Sequence, residues 1–447
     1  MERASRIGGA LLRGAASPVT LAIVVGLGAG LGAVAFRWLI YGIQRLFFGG
    51  SAHLFPSLGL FRVIPLPAIG GLFVGLLIYY FAWEARGHGV PEVMLAVIAQ
   101  GGRIRPRVAV IKSLASALCI GSGGSAGREG PIVQIGSALG STLGQLLRLP
   151  ERTLRLLVAC GAAGGIAATF NAPISGVLFA CEIILRRFET RALGFIVLSS
   201  VAATAVARSV WGDARPFVVP PYELVSAWEF PLYALLGFLC VGMALAFVRV
   251  LYGLEDLFDR WHLRQYLKPA VGGLLVGLIG FVRPKIFGVG YGPQPVGPPL
   301  GGLELALLGR ISLGVAVAYA ILKLFATSLT IGSGGSGGIF SPCLFIGAAT
   351  ANAFGQIVHH LFPAHTATAG AYALVGMGAV FAGAAQAPLT SIVIIFEMTG
   401  DYRIILPIMT AAVISTLVAH YVSRDTIYTL KISRRGLDVS GPPPDLA

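Results

Sequence analysis

Apolar residues in this chain gather into long blocks with few polar interruptions, near 18–41, 62–82, 108–120, 131–147, 154–184, 193–209, 230–251, 269–282, 312–331, 339–358, 370–396 and 404–422. About 20 apolar residues in a helix span the hydrocarbon core of a bilayer, so the pattern predicts spanning or fully buried helices along the whole chain. Several blocks are shorter than a span or cut by glycine and proline. Helices that end inside the protein, as in transporters, leave that signature.

Composition places the chain in a class. Of its 447 residues 56% are hydrophobic and 12% charged, with a mean hydropathy of +0.82, against roughly 25% charged residues in a soluble domain. The fold class expected is all-α and integral to the membrane. The 61 glycines and 26 prolines agree with close helix packing and broken helices.

The net charge of +14 does not mark a nucleic-acid partner, because the basic residues are spread over short loops and ends. They read instead as topology signals: Arg3, Arg6 and Arg13 before the first block, Arg103, Arg105 and Arg107 in one connection, Arg148, Arg152 and Arg155 in another, and Lys431, Arg434 and Arg435 after the last. The positive-inside rule then puts both termini in the cytoplasm of a multi-pass cell-membrane protein. The first apolar stretch is too long, and too poor in cleavage signals, for a removed signal peptide. Cys119, Cys160, Cys181, Cys240 and Cys343 sit in apolar blocks at unpaired spacings and are expected to be buried free thiols. No metal or other cofactor is expected, and His359-His360 reads as a solvated helix end.

The second half of the chain repeats the first. A shift of 211 residues carries Lys112 onto Lys323, Gly121–Ser125 onto Gly332–Ser336, Pro131 onto Pro342, Gly136 onto Gly347 and Gly144 onto Gly355. A shift of 215 then carries Gly161 onto Gly376, Ala172-Pro173 onto Ala387-Pro388 and Glu182 onto Glu397. Lysine, proline and glutamate in register argue for internal duplication, with the halves either parallel or inverted. The organisation expected is a lead at 1–17, one transmembrane domain at 18–430 and a short cytoplasmic tail at 431–447. Within the domain the repeats cover about 18–210 and 230–430, joined by a polar linker at 211–229.

Two glycine-rich turns carry the chemistry. Gly121-Ser122-Gly123-Gly124-Ser125-Ala126-Gly127-Arg128-Glu129-Gly130-Pro131 places a carboxylate between apolar blocks, and Gly332 through Pro342 echoes it with Phe340 in place of Glu129. An ionisable side chain at membrane depth costs roughly 2.5–3.5 kcal/mol on insertion scales, which makes Glu129 a functional candidate. Each turn ends in a proline suited to the first position of a helix, and a helix N-terminus offers unpaired N–H groups to an anion. Two such termini facing one point make an anion site without fixed cations, from which an ion can leave again. A carboxylate can fill such a site itself and vacate it when protonated. The competing readings are glycine hinges for the turns and, for Glu129, an ion pair with Arg128 or a plain helix N-terminal charge. Ser125 and Ser336 each stand between glycines, as hydrolase nucleophiles do, so an intramembrane hydrolase is the alternative function. Neither serine has a base that its sequence context identifies, and an enzyme is not expected.

With these motifs in view, the chain resembles the CLC family of voltage-gated chloride channels and proton-coupled chloride antiporters, in its prokaryotic type without C-terminal CBS domains. The resemblance covers about 18–430 and rests on Gly127-Arg128-Glu129-Gly130-Pro131, Gly338-Ile339-Phe340-Ser341-Pro342, Gly87-His88-Gly89-Val90-Pro91, Phe170-Asn171-Ala172-Pro173 and Tyr428. It implies a homodimer in lipid with one pathway per subunit, each built from two inverted repeats of tilted and broken helices, transporting chloride and, in the antiporters, protons. It also implies roles. Glu129 is then the gate and proton acceptor; the backbone N–H groups of Arg128, Glu129, Gly130, Ile339, Phe340 and Ser341, with the Tyr428 hydroxyl, hold anions; Lys112 adds positive potential.

Two departures from the family matter. His88 stands where many members have serine, so its imidazole, with an ordinary pKa near 6.5, either meets the anion or merely closes the turn. Ile183 stands at the position of the inner proton-relay glutamate, beside Glu182, which matches a structural carboxylate. Isoleucine carries no proton, and a residue one step along a helix faces about 100° away.

Overall fold

A computed structural model describes residues 17–437 apart from 55, 214, 215, 218 and 221. The expected lead, including Arg3, Arg6 and Arg13, and the end of the tail lie outside the described residues. The described residues are helical with no extended strand, and seven helices are long and apolar enough to cross a membrane, or eight if the bent pair Pro56–Val63 and Leu66–Phe81 is one span.

The duplication is visible element by element. Pro18–Gln44, Arg107–Gly121, Glu129–Leu146, Glu151–Phe170, Pro173–Phe179 and Thr190–Trp211 answer to Glu229–Arg260, Leu313–Gly332, Phe340–Leu361, Ala369–Ala385, Pro388–Thr399 and Ile405–Val422. Even the breaks correspond. The long blocks at 154–184 and 370–396 are each cut by a residue in the left-handed conformation, Asn171 (φ 57°) and Gln386 (φ 50°), followed by alanine and a proline that opens the next helix. A left-handed cap ends a helix, and proline is preorganised to begin one.

Small residues bring the helices together. A Cβ on Gly136 would lie 2.2 Å from the carbonyl oxygen of Gly161, and one on Gly347 would lie 2.2 Å from that of Gly376. In both copies, therefore, neighbouring helices touch backbone to backbone.

The copies are related by a local two-fold axis. Gly127 N–H donates to Gly338 O at 2.7 Å and Gly338 N–H donates back to Gly127 O at 2.5 Å, an antiparallel pair between residues related by the 211-residue shift. Two equivalent residues that bond each other reciprocally straddle a local two-fold axis. The paired glutamates obey the same symmetry. Glu182 accepts from the N–H of Leu389 and Thr390 and from Thr390 Oγ1, at 3.2, 2.7 and 2.6 Å. Glu397 in turn accepts from the N–H of Ile174 and Ser175, at 2.9 and 2.7 Å, and from Ser175 Oγ at 2.5 Å. Each copy thus caps a helix N-terminus of the other, satisfying donors that have no partner within the helix. Glu182 is thereby committed to the fold, which argues against its standing in for a proton carrier at Ile183. Ile183 itself is buried in the π-helical turn Ala180–Ile184.

The region between the repeats packs onto the second copy. Tyr222 hydroxyl donates to Leu307 O, and the fully buried Glu229 accepts from Val225 N–H, Ala367 N–H and Tyr372 hydroxyl at 2.9, 2.6 and 3.0 Å. All five cysteines are buried and free.

Candidate functional site

Both glycine-rich turns lead into helices that start deep in the protein, at Glu129 and at Phe340. Pro131 and Pro342 therefore fall at the third helical position, not the first. The first four N–H groups of a helix lack intrahelical acceptors in any case, so proline is harmless throughout that turn. The same fact leaves the N–H groups around Glu129 and Phe340 free to face a ligand.

The Glu129 side chain, 1% exposed, reaches across to the other copy. Its Oε2 accepts from Ser341 N–H at 3.4 Å, and its Oε1 accepts from Ser341 Oγ and, at 3.1 Å, from Tyr291 hydroxyl. A carboxylate thus occupies the N-terminus of the Phe340 helix, where backbone dipole and donors favour negative charge. No ion pair with Arg128 forms among the described residues. The Arg128 guanidinium lies instead 5.5 Å from the centre of the Tyr291 ring. Phe340, which holds the place of Glu129 in the second copy, packs its ring on Phe170 and Phe381 at 5.0 and 4.4 Å between centroids.

Around this contact the structure gathers most of the residues singled out from sequence. Gly130 packs against His88, since a Cβ on Gly130 would lie 2.0 Å from the His88 carbonyl oxygen. His88 is 1% exposed, with its ring 5.8 Å from that of Tyr428. The His88 turn is tied to the second glycine-rich turn by Gly87 N–H to Gly335 O, at 2.9 Å, and Gly337 N–H to Gly87 O, at 3.3 Å. Lys112 is fully buried and donates to Ala85 O at 3.0 Å and Gly87 O at 2.7 Å, fastening this turn. Lys323 does the same in the second copy, donating to Ile286 O at 2.9 Å and Gly288 O at 2.8 Å.

That second lysine exposes a residue the sequence reading missed. Gly288-Val289-Gly290-Tyr291-Gly292-Pro293 is the counterpart of the His88 turn, displaced by 201 residues because the connection to the following lysine is ten residues longer. The shift of 211 passes over it. The signal that could have found it is the glycine spacing, Gly288 and Gly290 answering to Gly87 and Gly89. In this comparison Val289 answers to His88, and Tyr291 to Val90.

Two cavities approach the site from different sides. One, of about 190 Å³, is lined by Arg37, Tyr41, Arg128, Phe170, Trp211 and Tyr291 among others and has no acidic residue among its lining. Tyr291 stands between this cavity and Glu129. Cations in a low-dielectric cleft focus the field and concentrate anions there. The other, of about 300 Å³, is lined by Trp83, Tyr252 and a ring of paired charges: Arg86 with Asp259, Lys431 with Glu255, Arg434 with Asp256 and Arg435 with Glu92. Tyr252 connects this second cavity to His88, its hydroxyl lying 3.3 Å from His88 Nε2.

The hydrolase alternative lapses here. Ser125 Oγ pairs with Thr327 Oγ1 at 3.1 Å, and Ser336 Oγ with Ala85 O and Ser116 Oγ, both at 2.8 Å. Among the described residues neither serine hydrogen-bonds to a histidine or carboxylate that could act as its base.

Two-fold-related repeats, helices broken at the centre and a carboxylate seated on one backbone N–H and two hydroxyl donors between two cavities define a membrane protein of anion transport. Residues 70–420 match the family model described as voltage gated chloride channel, and the chain belongs to that family. It is 35% identical over 442 residues to a protein named "Putative chloride channel protein ClcB-like" of Ralstonia nicotianae, covering 95% of this chain and 99% of that one. It is 32% identical over 426 residues to the H(+)/Cl(−) exchange transporter ClcA of Yersinia pseudotuberculosis, covering 93% and 87%. Among solved structures it resembles a slow cyanobacterial Cl−/H+ antiporter, with a TM-score of 0.81 at 26% identity over 94% of this chain and 97% of the other. A eukaryotic CLC transporter shares the fold, with a TM-score of 0.77 at 23% identity over 96% and 75% of the two chains. These relatives are channels and transporters, and this chain is a transport protein and not an enzyme.

Proposed function

We propose that the protein moves chloride across the cell membrane along a pathway gated by Glu129, in exchange for protons, with each subunit of a homodimer carrying its own pathway and both termini in the cytoplasm. The observation that carries this reading is the seat of the Glu129 carboxylate on Ser341 and Tyr291. Those donors suit an anion, and a carboxylate placed there competes with chloride. Protonation removes the negative charge, the carboxyl group leaves, and chloride takes the vacated donors. Gate opening and proton uptake are then one event. The N–H groups of Arg128, Glu129, Gly130, Ile339, Phe340 and Ser341 and the hydroxyl of Tyr428 line the route, while Lys112 holds the His88 turn and adds positive potential. No cofactor takes part. Exchange is favoured by the likeness to the Yersinia exchanger and the cyanobacterial antiporter.

A passive chloride channel is the second reading, favoured by one observation: Ile183 is buried and apolar where a proton carrier is expected. Proteoliposomes decide between them. With valinomycin and potassium setting the voltage, a chloride gradient is expected to drive protons uphill; chloride flux without proton movement establishes the channel. Absence of chloride flux from folded protein overturns both. Light scattering of the protein in detergent, corrected for bound detergent, tests the dimer.

A further inference from the structure

His88 has no equivalent in the second copy, where Val289 fills its place, and its ring is held in a way that fixes where its hydrogen sits. Tyr252 hydroxyl donates to Ile427 O at 2.7 Å. With its one hydrogen committed to that carbonyl, the hydroxyl can only accept from His88 Nε2, 3.3 Å away. Nε2 therefore carries the ring's hydrogen, and the neutral ring has a lone pair on Nδ1. That nitrogen is buried and has no hydrogen-bond partner among the described residues. A lone pair repels an anion, whereas the same nitrogen bearing a hydrogen attracts one.

We infer that His88 receives the transported anion as an imidazolium, Nδ1 taking up a proton as the anion arrives and giving it back as the anion departs, so that anion occupancy of this turn is tied to protonation. This inference rests on the transport reading above. The surrounding charges make the two events conditional on each other. Lys112 comes from the helix Arg107–Gly121 and reaches Gly87 O, next to His88. Lys431 lies in the helix Thr429–Ser433 and Arg435 just beyond it, and all three cations act on the ring. Arg434 covers the Tyr252 ring at 4.8 Å, and Tyr252 and Tyr428 are the neutral titratable neighbours. The nearby carboxylates are already engaged, Glu92 with Arg435 and Glu255 with Lys431. Burial first, and then the cationic surround, oppose a positive charge on the ring; an anion beside Nδ1 forms an ion pair with the imidazolium and offsets the cations' share. The proton comes from solvent hydronium, which leaves as water, and the charge gained balances the anion's. The turn at 180–184 offers no rival carrier, since Ile183 is apolar and Glu182 caps the helix Pro388–Thr399.

The test is chloride binding to the full-length protein in detergent, carrying Glu129→Gln so that the gate contributes no proton. Titration calorimetry in two buffers of different ionisation enthalpy counts the protons bound with the anion. About one proton taken up per chloride is expected near neutral pH, with affinity rising about tenfold for each unit that pH falls. Adding His88→Asn supplies an amide donor and is expected to keep chloride binding while abolishing proton uptake. Adding Tyr252→Phe frees the ring to carry its hydrogen on Nδ1 while neutral, so proton uptake is expected to fall well below one with chloride still bound, an effect a purely structural histidine does not produce. Chloride binding without proton uptake in the Glu129→Gln protein overturns the inference and leaves the transport reading standing, as does unchanged uptake on adding Tyr252→Phe. Absence of both binding and flux in the unmodified protein overturns the transport reading itself.

Discussion

Gly127 and Gly338 exchange backbone hydrogen bonds in both directions, and each is the other's counterpart across the duplication. The local two-fold axis therefore passes between the two glycine-rich turns, bringing both helix N-termini to the centre of the protein. Symmetry alone would build a site with two equal halves. The asymmetry lies in side chains: Glu129 opposite Phe340, Arg128 opposite Ile339, Gly130 opposite Ser341, His88 opposite Val289, and Tyr291 opposite Val90. The fold supplies a symmetric cradle of backbone donors, and these side chains give it a direction.

The glycines around the gate separate two kinds of space. A Cβ on Gly127 would meet the Glu129 carboxylate, its Oε2 at 2.1 Å, which is the movable end of a side chain. A Cβ on Gly130 would meet the backbone oxygen of His88 at 2.0 Å, which cannot move without the turn. Gly127→Ala is expected to fold and to displace the gate, raising chloride flux at high pH and lowering the protons moved per chloride. Gly130→Ala is expected to lose the sharp size-exclusion peak of folded protein. Equal damage from both substitutions would contradict the distinction.

Glu129→Gln removes the only proton site on the gate. A carboxylate accepts from Ser341 N–H, Ser341 Oγ and Tyr291 hydroxyl together, whereas half of a glutamine amide is a donor and cannot. The amide should leave the seat open. Chloride flux in proteoliposomes is expected to persist, to lose the pH dependence that arises at the gate, and to be uncoupled from proton movement. Retained uphill proton transport would refute the gate assignment.

Glu182 and Glu397 cap each other's repeat, so their removal is a matter of stability. Hydrogen bonds to a charged group contribute about 1.5–3 kcal/mol each in favourable settings, and each carboxylate makes three. Glu182→Ala and Glu397→Ala are both expected to lower the melting temperature in detergent by several degrees, and by similar amounts. Protons moved per chloride should not change in Glu182→Ala. A selective loss of proton transport there would reinstate Glu182 as a carrier.

Much of this was legible from the order of residues. The apolar blocks gave the helices, and the in-register lysines, prolines and glutamates gave the duplication, because features repeated at one spacing survive independently of how the chain folds. Glu129 stood out through its cost at membrane depth. Inversion of the copies was not readable without the family resemblance, since a duplicated sequence is identical whichever way its second copy is threaded; the reciprocal Gly127 and Gly338 bonds give the two-fold axis, and the likeness to solved CLC structures gives the inversion. The fate of Glu182 was equally hidden, for its partners Leu389 and Thr390 are some 200 residues away. Tyr291 escaped because the longer connection before Lys323 breaks the register that revealed everything else.

Tyr291 has its own test because its hydroxyl joins the arginine-lined cavity to the gate carboxylate. Its hydroxyl donates to Glu129 Oε1 at 3.1 Å, and its ring lies beneath the Arg128 guanidinium. Phenylalanine keeps the ring and the cation contact but withdraws the donor. One hydrogen bond to a carboxylate is a difference of about 1.5–3 kcal/mol between the seated and released gate, which raises the released population by roughly ten- to a hundredfold while that population is small. Tyr291→Phe is therefore expected to increase chloride flux most at alkaline pH, where the seated carboxylate limits it, and little at acidic pH, where protonation has already released the gate. The increase should vanish when Tyr291→Phe is combined with Glu129→Gln, because the hydroxyl then has no carboxylate to hold. Flux measured in proteoliposomes across this pair of variants reads the coupling directly, and an additive effect in the double variant would show that Tyr291 acts on the pathway by some route other than the gate.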